Sequence, residues 1–377
     1  MIKITTPVLG EEELKEVKKV LDSGYLVQNK YVKLIEEFIS KYVGTKHAVA
    51  VSSGTAALHL SLLSLGIKEG DEVIVPDFTF PATVNVVEMV GAKPILVDID
   101  PETFCINTEE IESKITNKTK AIMPVHEFGN STNMDEIIKV SKKYNLKIIE
   151  DAACALGTEY KKKKIGSIGD IGCFSFHPRK SVTTGEGGII TTNDPEIYEK
   201  LQILRNHGIS KVEGKVDFVL PGYNYRLTDI QAAIGIVQLK KLEEIIDKKI
   251  NLAEIYNREL KNIDKIRAPK YQEEVRHTYQ TYHVILSESI NRDEVIKELK
   301  KNEIESNYGA YAIHALKYYR EKYKLDDSEF ENSLKAYNQG LALPLSYEMD
   351  EKDVIFVVKK LKEIIQKGWF NETRRIQ

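Results

Sequence analysis

A chain of 377 residues is longer than one hydrophobic core usually organises, so a large domain with a smaller companion is expected. Hydrophobic residues make up 42% of it, enough for a sizeable core, and the formal net charge of -3 argues against a general polyanion binder, which removes nucleic acid from the expected partners. Its three cysteines, Cys105, Cys154 and Cys173, fall in no CxxC spacing; neither a disulfide framework nor a zinc site is indicated, and small buried hydrophobes are expected.

The start, MIKITTPVLGEEELKEV, has no apolar signal core, and no later window approaches the length of a membrane span, so a cytoplasmic protein without membrane contact is expected. Apolar residues at helical intervals (Leu14, Val17, Val20, Leu21; Val32, Ile35, Phe38, Ile39) predict amphipathic helices over 11–23 and 31–42. GYLVQNK between them suits either a connection or the lip of a pocket. From His47 short β-branched runs alternate with helical patterns: AVAVSS, TAALHLSLLSLG, EVIVP, PATVNVVEMVG, KPILVDID, AIMPV, MDEIIKVSKKYN, LKIIEDA. That alternation predicts a mostly parallel central sheet flanked by helices, with a ligand beyond the carboxyl ends of the strands, where residues 52–55, 77–80, 126–129 and 151–154 converge.

IGCFSFHPRKSVTTGEGGIITT at 171–192 reads as strand, loop, strand, with Lys180 at the junction. A lysine between buried strands loses hydration, which disfavours its charged form and makes the amine a nucleophile toward an aldehyde; a solvated loop lysine fits the same stretch. KKKK at 161–164 reads as a solvated turn, and Pro195 opens a helix capped by Asp194. GKVDFVLPGYNYRLTD suits a binding loop or an intersubunit arm. Past about residue 260 short strands and helices resume, which predicts a large domain over 1–255 and a smaller C-terminal α/β domain over 256–377, with the N-terminal helices available to pack on the small domain.

Two further constellations carry chemistry. SSGTAAL at 52–58 ends a strand and opens a helix, whose unpaired N–H groups and positive dipole end make a phosphate seat; plain N-capping by Ser53 or Thr55 accounts for it equally. It is not a P-loop, since no Gly-Lys-Ser/Thr follows. Asp151 ends the apolar strand LKIIE, and a buried carboxylate needs a partner: a protonated pyridine nitrogen, a helix N-terminus or a salt bridge. Phosphate seat, aspartate and lysine together meet the needs of pyridoxal phosphate, with Phe80 either stacked on the ring or packed in the core.

SSGTAALHL, VPDFTFPATVN, EDAACALG, SFHPRKSVTTGEGG and GYNYRLTDIQAAIG strongly resemble the DegT/DnrJ/EryC1/StrS family of nucleotide-sugar aminotransferases, within the fold-type I, aspartate aminotransferase-like enzymes dependent on pyridoxal 5'-phosphate (PLP, with its amine form PMP). The resemblance implies that Lys180 is the Schiff-base and proton-shuttling lysine and Asp151 the partner of the ring nitrogen. By the same resemblance Gly54, Thr55, Ala56 and Ser175 hold the phosphate and Phe80 stacks on the ring. Asn224 and Arg226 are implied to serve the neighbouring subunit's phosphate, hence a homodimer with shared active sites. Glu186, Tyr311 and His314 are candidates for the substrate cleft; a polar loop residue and solvated helix-end residues are the alternatives. Cys154 departs from the pattern, because many relatives carry glutamine or glutamate there.

The activity implied is ping-pong transfer of an amino group from L-glutamate, which leaves as 2-oxoglutarate, to a nucleotide-linked keto sugar. TTGEGG resembles members acting at C4 of a 4-keto-6-deoxyhexose more than those acting at C3. The alternatives are a C3 aminotransferase, a PLP-dependent sugar dehydratase, which retention of Lys180 disfavours, and a non-enzymatic regulatory protein. A dehydrogenase lacks its GxGxxG after a strand, and a zincin lacks the second histidine after His126-Glu127.

Overall fold

The computed structural model describes residues 1–367; residues 368–377, the end of the expected C-terminal domain, lie outside the described residues. Its centre is a seven-stranded sheet of β1 (His47–Val51), β2 (Glu72–Pro76), β3 (Lys93–Val97), β4 (Thr119–Ile122), β5 (Lys147–Asp151), β6 (Ile171–Ser175) and β7 (Gly188–Thr192). The spatial order is β1-β7-β6-β5-β4-β2-β3. Pairs from β6 to β3 are parallel, and β7 runs antiparallel to both its neighbours. This is the mostly parallel sheet that the alternating runs predict.

Both faces of the sheet are covered, which is why its strands read as unbroken apolar runs. Side chains alternate across a strand, so successive residues feed two different cores. Ala48, Ala50, Ile74, Ile122, Ile148 and Ile189 join one core with Val32, Ile35 and Ile39 of the second helix. Val49, Val51, Val73, Val75, Ile149 and Ile190 join the other with Leu60, Leu62, Val84 and Leu201.

The longer helices up to residue 260 are α1 (Glu11–Ser23), α2 (Lys30–Val43), α3 (Gly54–Ser64), α4 (Ala82–Met89), α5 (Met134–Tyr144), α6 (Pro195–Arg205), α7 (Asp229–Lys240) and α8 (Leu242–Leu260). Asp194 caps α6 by accepting from the Glu196 and Ile197 N–H groups. α1 and α2 both pack on α7. Asp229 fixes this by accepting from the Asn29, Tyr31 and Val32 N–H groups, and Glu13 accepts from Gln238 and Lys241. The extended residues before α1 reach the C-terminal part through the Ile2–Ile304 bridge.

α8 carries the chain out. Leu242, Ile245 and Ile246 belong to the first core, whereas Leu252, Ala253, Tyr256 and Leu260 belong to a third. That third core lies between α8, α9 (Arg292–Lys301), α10 (Glu351–Gln366) and an antiparallel sheet. Before α7 a hairpin pairs β8 (Ile209–Val212) with β9 (Lys215–Phe218), and the C-terminal sheet is β10 (Ile266–Arg267), β11 (Tyr282–Leu286) and β12 (Gly340–Leu343). No helix among the described residues is long and apolar enough to cross a membrane.

Candidate active site

A cavity of about 540 Å³ opens beyond the carboxyl ends of β1, β5 and β6, within the usual size of a small-molecule site. Ser53, Gly54 and Thr55 line it from the start of α3, Asp151 and Cys154 from the end of β5, Ser175 and Lys180 from the end of β6. The loop that carries Lys180 is pinned at several points. Phe176 donates to the Gly187 carbonyl, Thr184 donates to the Phe176 carbonyl, and Gln280 donates to the Arg179 carbonyl at 2.8 Å. The loop is therefore held on both sides of Lys180, whose own N–H donates to the His177 carbonyl, and the lysine is half-buried, not an ordinary solvated loop residue.

Asp151 is 3% exposed. One carboxylate oxygen accepts from the Thr83 hydroxyl at 2.8 Å and the other from the Ala153 N–H at 3.1 Å. It caps no helix and makes no contact ion pair among the described residues. Burial pushes its carboxyl above the usual range, against the pull of Thr83, Ala153, Lys180 and His126. A buried acid with no cation in contact fits a cationic ring nitrogen as its partner.

Lys180 is half-buried, and its ammonium donates to the Cys154 sulfur at 2.9 Å. Burial pulls its proton affinity down, but Cys154, Glu127 and Asp151 outweigh burial, so the net shift is upward. This corrects the expectation that lost hydration alone sets the sign: three acids face the amine. It also corrects the reading of Cys154 as a small buried hydrophobe, which holds for Cys105 and Cys173 only. Burial pushes the Cys154 thiol up, with Lys180 opposing.

The phosphate seat is both a cap and a cradle. Ser53 caps α3 by accepting from the Ala56 N–H at 3.0 Å, so that N–H is occupied and buried Ala56 does not line the cavity. Gly54 does line it, and a Cβ added there would meet the Ser175 Cβ at 2.9 Å; glycine is what lets α3 approach β6 this closely. The three residues Gly54, Thr55 and Ser175 fit a phosphate group.

Phe80 is 66% exposed on the cavity wall, its ring edge toward Tyr311, so it is not core packing. Glu186 is exposed on the wall with its carbonyl held by Thr184 and Gln231. Tyr311 stands behind Phe80 and off the cavity lining, in a two-residue strand paired with Thr79. His314 is neither a cleft residue nor a solvated helix end. It is fully buried, stacked on Phe330, and paired through its ring and backbone nitrogens with Asp77 at 2.5 and 2.8 Å. Asn224 and Arg226 also stay off the lining of their own chain's cavity. Asn224 is exposed and Arg226 donates to Asn206 at 2.6 Å, although the Tyr225 carbonyl between them is bound by the Ser52 N–H.

Two wall residues received no role in the sequence reading. Thr83 orients Asp151, and Glu127 is a buried acid whose carboxyl burial pushes up to about 8, with Asp151 reinforcing the shift and Lys180 opposing it. The signal for Glu127 was its place two residues after the AIMPV run, within the 126–129 stretch that converges with the other strand ends.

A model of the DegT/DnrJ/EryC1/StrS aminotransferase family matches residues 7–362. GDP-perosamine synthase of Escherichia coli O157:H7 is 37% identical over 363 residues, covering 96% of this chain and 98% of that protein. Spore coat polysaccharide biosynthesis protein SpsC of Bacillus subtilis (strain 168) is 36% identical over 373 residues, covering 96% of each. Among solved structures, Spr1654 of Streptococcus pneumoniae, designated a sugar aminotransferase, superposes in its PMP form with a TM-score of 0.92 at 30% identity, covering 97% of this chain and 99% of that one. Its PLP form gives 0.91.

Proposed function

The chain belongs to the DegT/DnrJ/EryC1/StrS aminotransferase family, as a PLP-dependent sugar aminotransferase, and on that premise we propose that it transfers an amino group from L-glutamate to C4 of a nucleotide-linked 4-keto-6-deoxyhexose. The observation that carries the reading is Lys180 and Asp151 on the walls of one cavity, with the Gly54–Ser175 cradle beside them. Pyridoxal phosphate, when bound, supplies an aldehyde for an amine and a ring that withdraws electrons from the carbon losing its proton. Gly54, Thr55 and Ser175 are assigned to its phosphate, Phe80 to its ring face and Asp151 to its ring nitrogen.

Asp151 then has one task, to keep a positive charge on that nitrogen, and its burial makes it effective because no water screens the pair. Lys180 has two, as the amine that holds the cofactor and as the group that takes a proton at Nζ from the donor carbon and returns it. Phe80 and Glu186, both at the open side, face where a sugar enters. The C4 assignment is supported by the TTGEGG step and by similarity to a protein named for making GDP-perosamine.

The proposal includes a homodimer with shared sites, supported by Asn224 and Arg226 standing outside their own cavity and by exposed Tyr25, Val27, Val216 and Phe218. It includes a division near residues 255 and 256, supported by the change of core inside α8. Incubation with a panel of nucleotide-linked 3-keto and 4-keto sugars and 15N-glutamate tests the reading. Label is expected in a 4-amino sugar, with 2-oxoglutarate formed in equal amount; label in a 3-amino sugar alone overturns the C4 assignment, and turnover without a donor points to dehydration.

A further inference from the structure

Glu127 is a buried acid to which the reading above gives no task. The backbone commits it to the cavity. Beyond β4 the chain stays bridged to β5 through Val125 and Asp151, and then Phe128 takes a left-handed φ of 57°, a strained conformation for an aromatic residue. The strain is over-determined from outside: Phe128 stacks on His283 at 4.5 Å, and the Gly129 carbonyl accepts from the Thr278 N–H at 3.0 Å. The turn leaves Glu127 5% exposed on the wall shared with Lys180, Cys154 and Asp151.

Its neighbour Glu150 is as deeply buried and shows what a structural acid looks like. Glu150 accepts from the Gly166, Ile168 and Gly169 N–H groups and sits 3.3 Å from His126. Glu127 makes no contact ion pair among the described residues, and its carboxyl is held by the backbone N–H of its own neighbour Phe128 and not by a second side chain. The charges that bear on it are those of Lys180 and Asp151, and it bears in turn on Lys180 and Cys154.

We propose that Glu127 is a positioning residue for the proton on Lys180: the ionised carboxylate holds the amine in its charged form, and the protonated carboxyl loosens that hold. Its importance for turnover rests on the reading of Lys180 as the reacting amine; the coupling itself does not. Among the acids facing this corner Glu127 is the adjustable one. Asp151 is engaged by Thr83, the Cys154 thiol is pushed up by burial, and His126 faces Glu150. Lys249 of α8, pulled down to about 8 by burial, bears on Cys154 and Lys180 from behind. Burial sets Glu127 itself at about 8, so its charge changes in the neutral to mildly alkaline range.

The test uses the full chain without added cofactor. The pH dependence of reductive methylation at Lys180, read by mass spectrometry of the peptide that bears it, is compared in wild type, Glu127→Gln and Glu127→Asp. Removing the negative charge is expected to lower the midpoint by about one pH unit in Glu127→Gln, and the shorter acid is expected to restore most of it. Coinciding curves for wild type and Glu127→Gln overturn the proposal. Should the glutamine variant fail to fold by circular dichroism, the infrared band of the protonated carboxyl in wild type decides. A band that Glu127→Asp alters and that persists to about pH 8 supports the coupling, and one lost by about pH 6 overturns it. A chain that takes up no pyridoxal phosphate sinks the aminotransferase reading while these curves still decide Glu127; coinciding curves in a chain that does take it up sink this inference alone.

Discussion

A buried carboxylate held by one hydroxyl and one amide, as Asp151 is, stays poised for a cation, and its replacement separates binding from chemistry. Asp151→Asn keeps the shape and both neighbours, so bound cofactor is expected to remain while the amination rate falls by about a hundredfold or more, the usual weight of one acid–base group. Wild-type turnover in that variant removes the ring-nitrogen role. Lys180→Ala is expected to abolish turnover and the visible absorption of lysine-linked cofactor, and full activity there rejects Lys180 as the reacting amine. Glu127 gives a pH prediction. Its carboxyl is raised from 4.5 in the unfolded chain to about 8 in the folded one, so the folded state binds the extra proton between those values. Its contribution to stability is present below the lower value and is lost as pH rises through the upper. Cofactor-free wild type is therefore expected to lose melting temperature from about pH 5 to pH 8 more steeply than Glu127→Gln; parallel melting curves contradict the raised carboxyl. The cavity positions of Asp151 and Lys180 were legible in the sequence because Asp151 ends a short apolar strand and Lys180 stands in the loop that follows another, and strand ends converge in a parallel sheet. The upward shift at Lys180 was not, since it depends on three acids brought together from two strand ends.

At the scale of elements, the pair β6 and β7 shows how tightly the lysine loop is based. Gly172 sits inside β6, and a Cβ there would meet the Gly166 Cα at 2.4 Å and its carbonyl oxygen at 2.6 Å, both backbone atoms that cannot swing aside. Gly185, in the loop, has a φ of 82° and open space around it. Gly172→Ala is expected to cost about 1–3 kcal/mol or to prevent folding, and Gly185→Ala about 1 kcal/mol from backbone strain alone, read by urea denaturation. Equal losses in the two variants contradict the close packing of the hairpin on the 159–170 segment. The long elements were legible because their apolar period is local: α1, α2 and the β-branched runs stand where the sequence puts them. The two-residue strands Phe78–Thr79 and Tyr311–Ala312 were not, because each exists only by pairing with the other across more than half the chain. That long-range pairing also explains why His314 was misplaced. It carries the histidine inward onto Asp77, where no local pattern announces it.

The whole molecule raises the question of where the cavity ends. Asn224 and Arg226 lie on a segment tied to the end of β1, beside the phosphate seat, yet within one chain neither reaches the cavity wall. The sequence carried their family resemblance but no geometry for it, since their contacts with Asn206 and Val51 join segments far apart in the chain. The exposed apolar residues Val216, Phe218 and Val219 of the β8–β9 hairpin and its exit precede that segment directly, and the proposed isologous dimer, if it buries them, would bring the segment toward the other copy. Mixing two defective chains tests this arrangement. Lys180→Ala and the double variant Asn224→Ala, Arg226→Ala are each expected to be strongly impaired alone. In a mixed dimer, the chain with an intact lysine receives intact Asn224 and Arg226 from the other, so one of its two sites is whole. Random assortment makes about half the dimers mixed, so coexpression is expected to recover about a quarter of wild-type activity. If the residues serve their own chain, neither site of a mixed dimer is whole, and coexpression recovers nothing beyond the two parents.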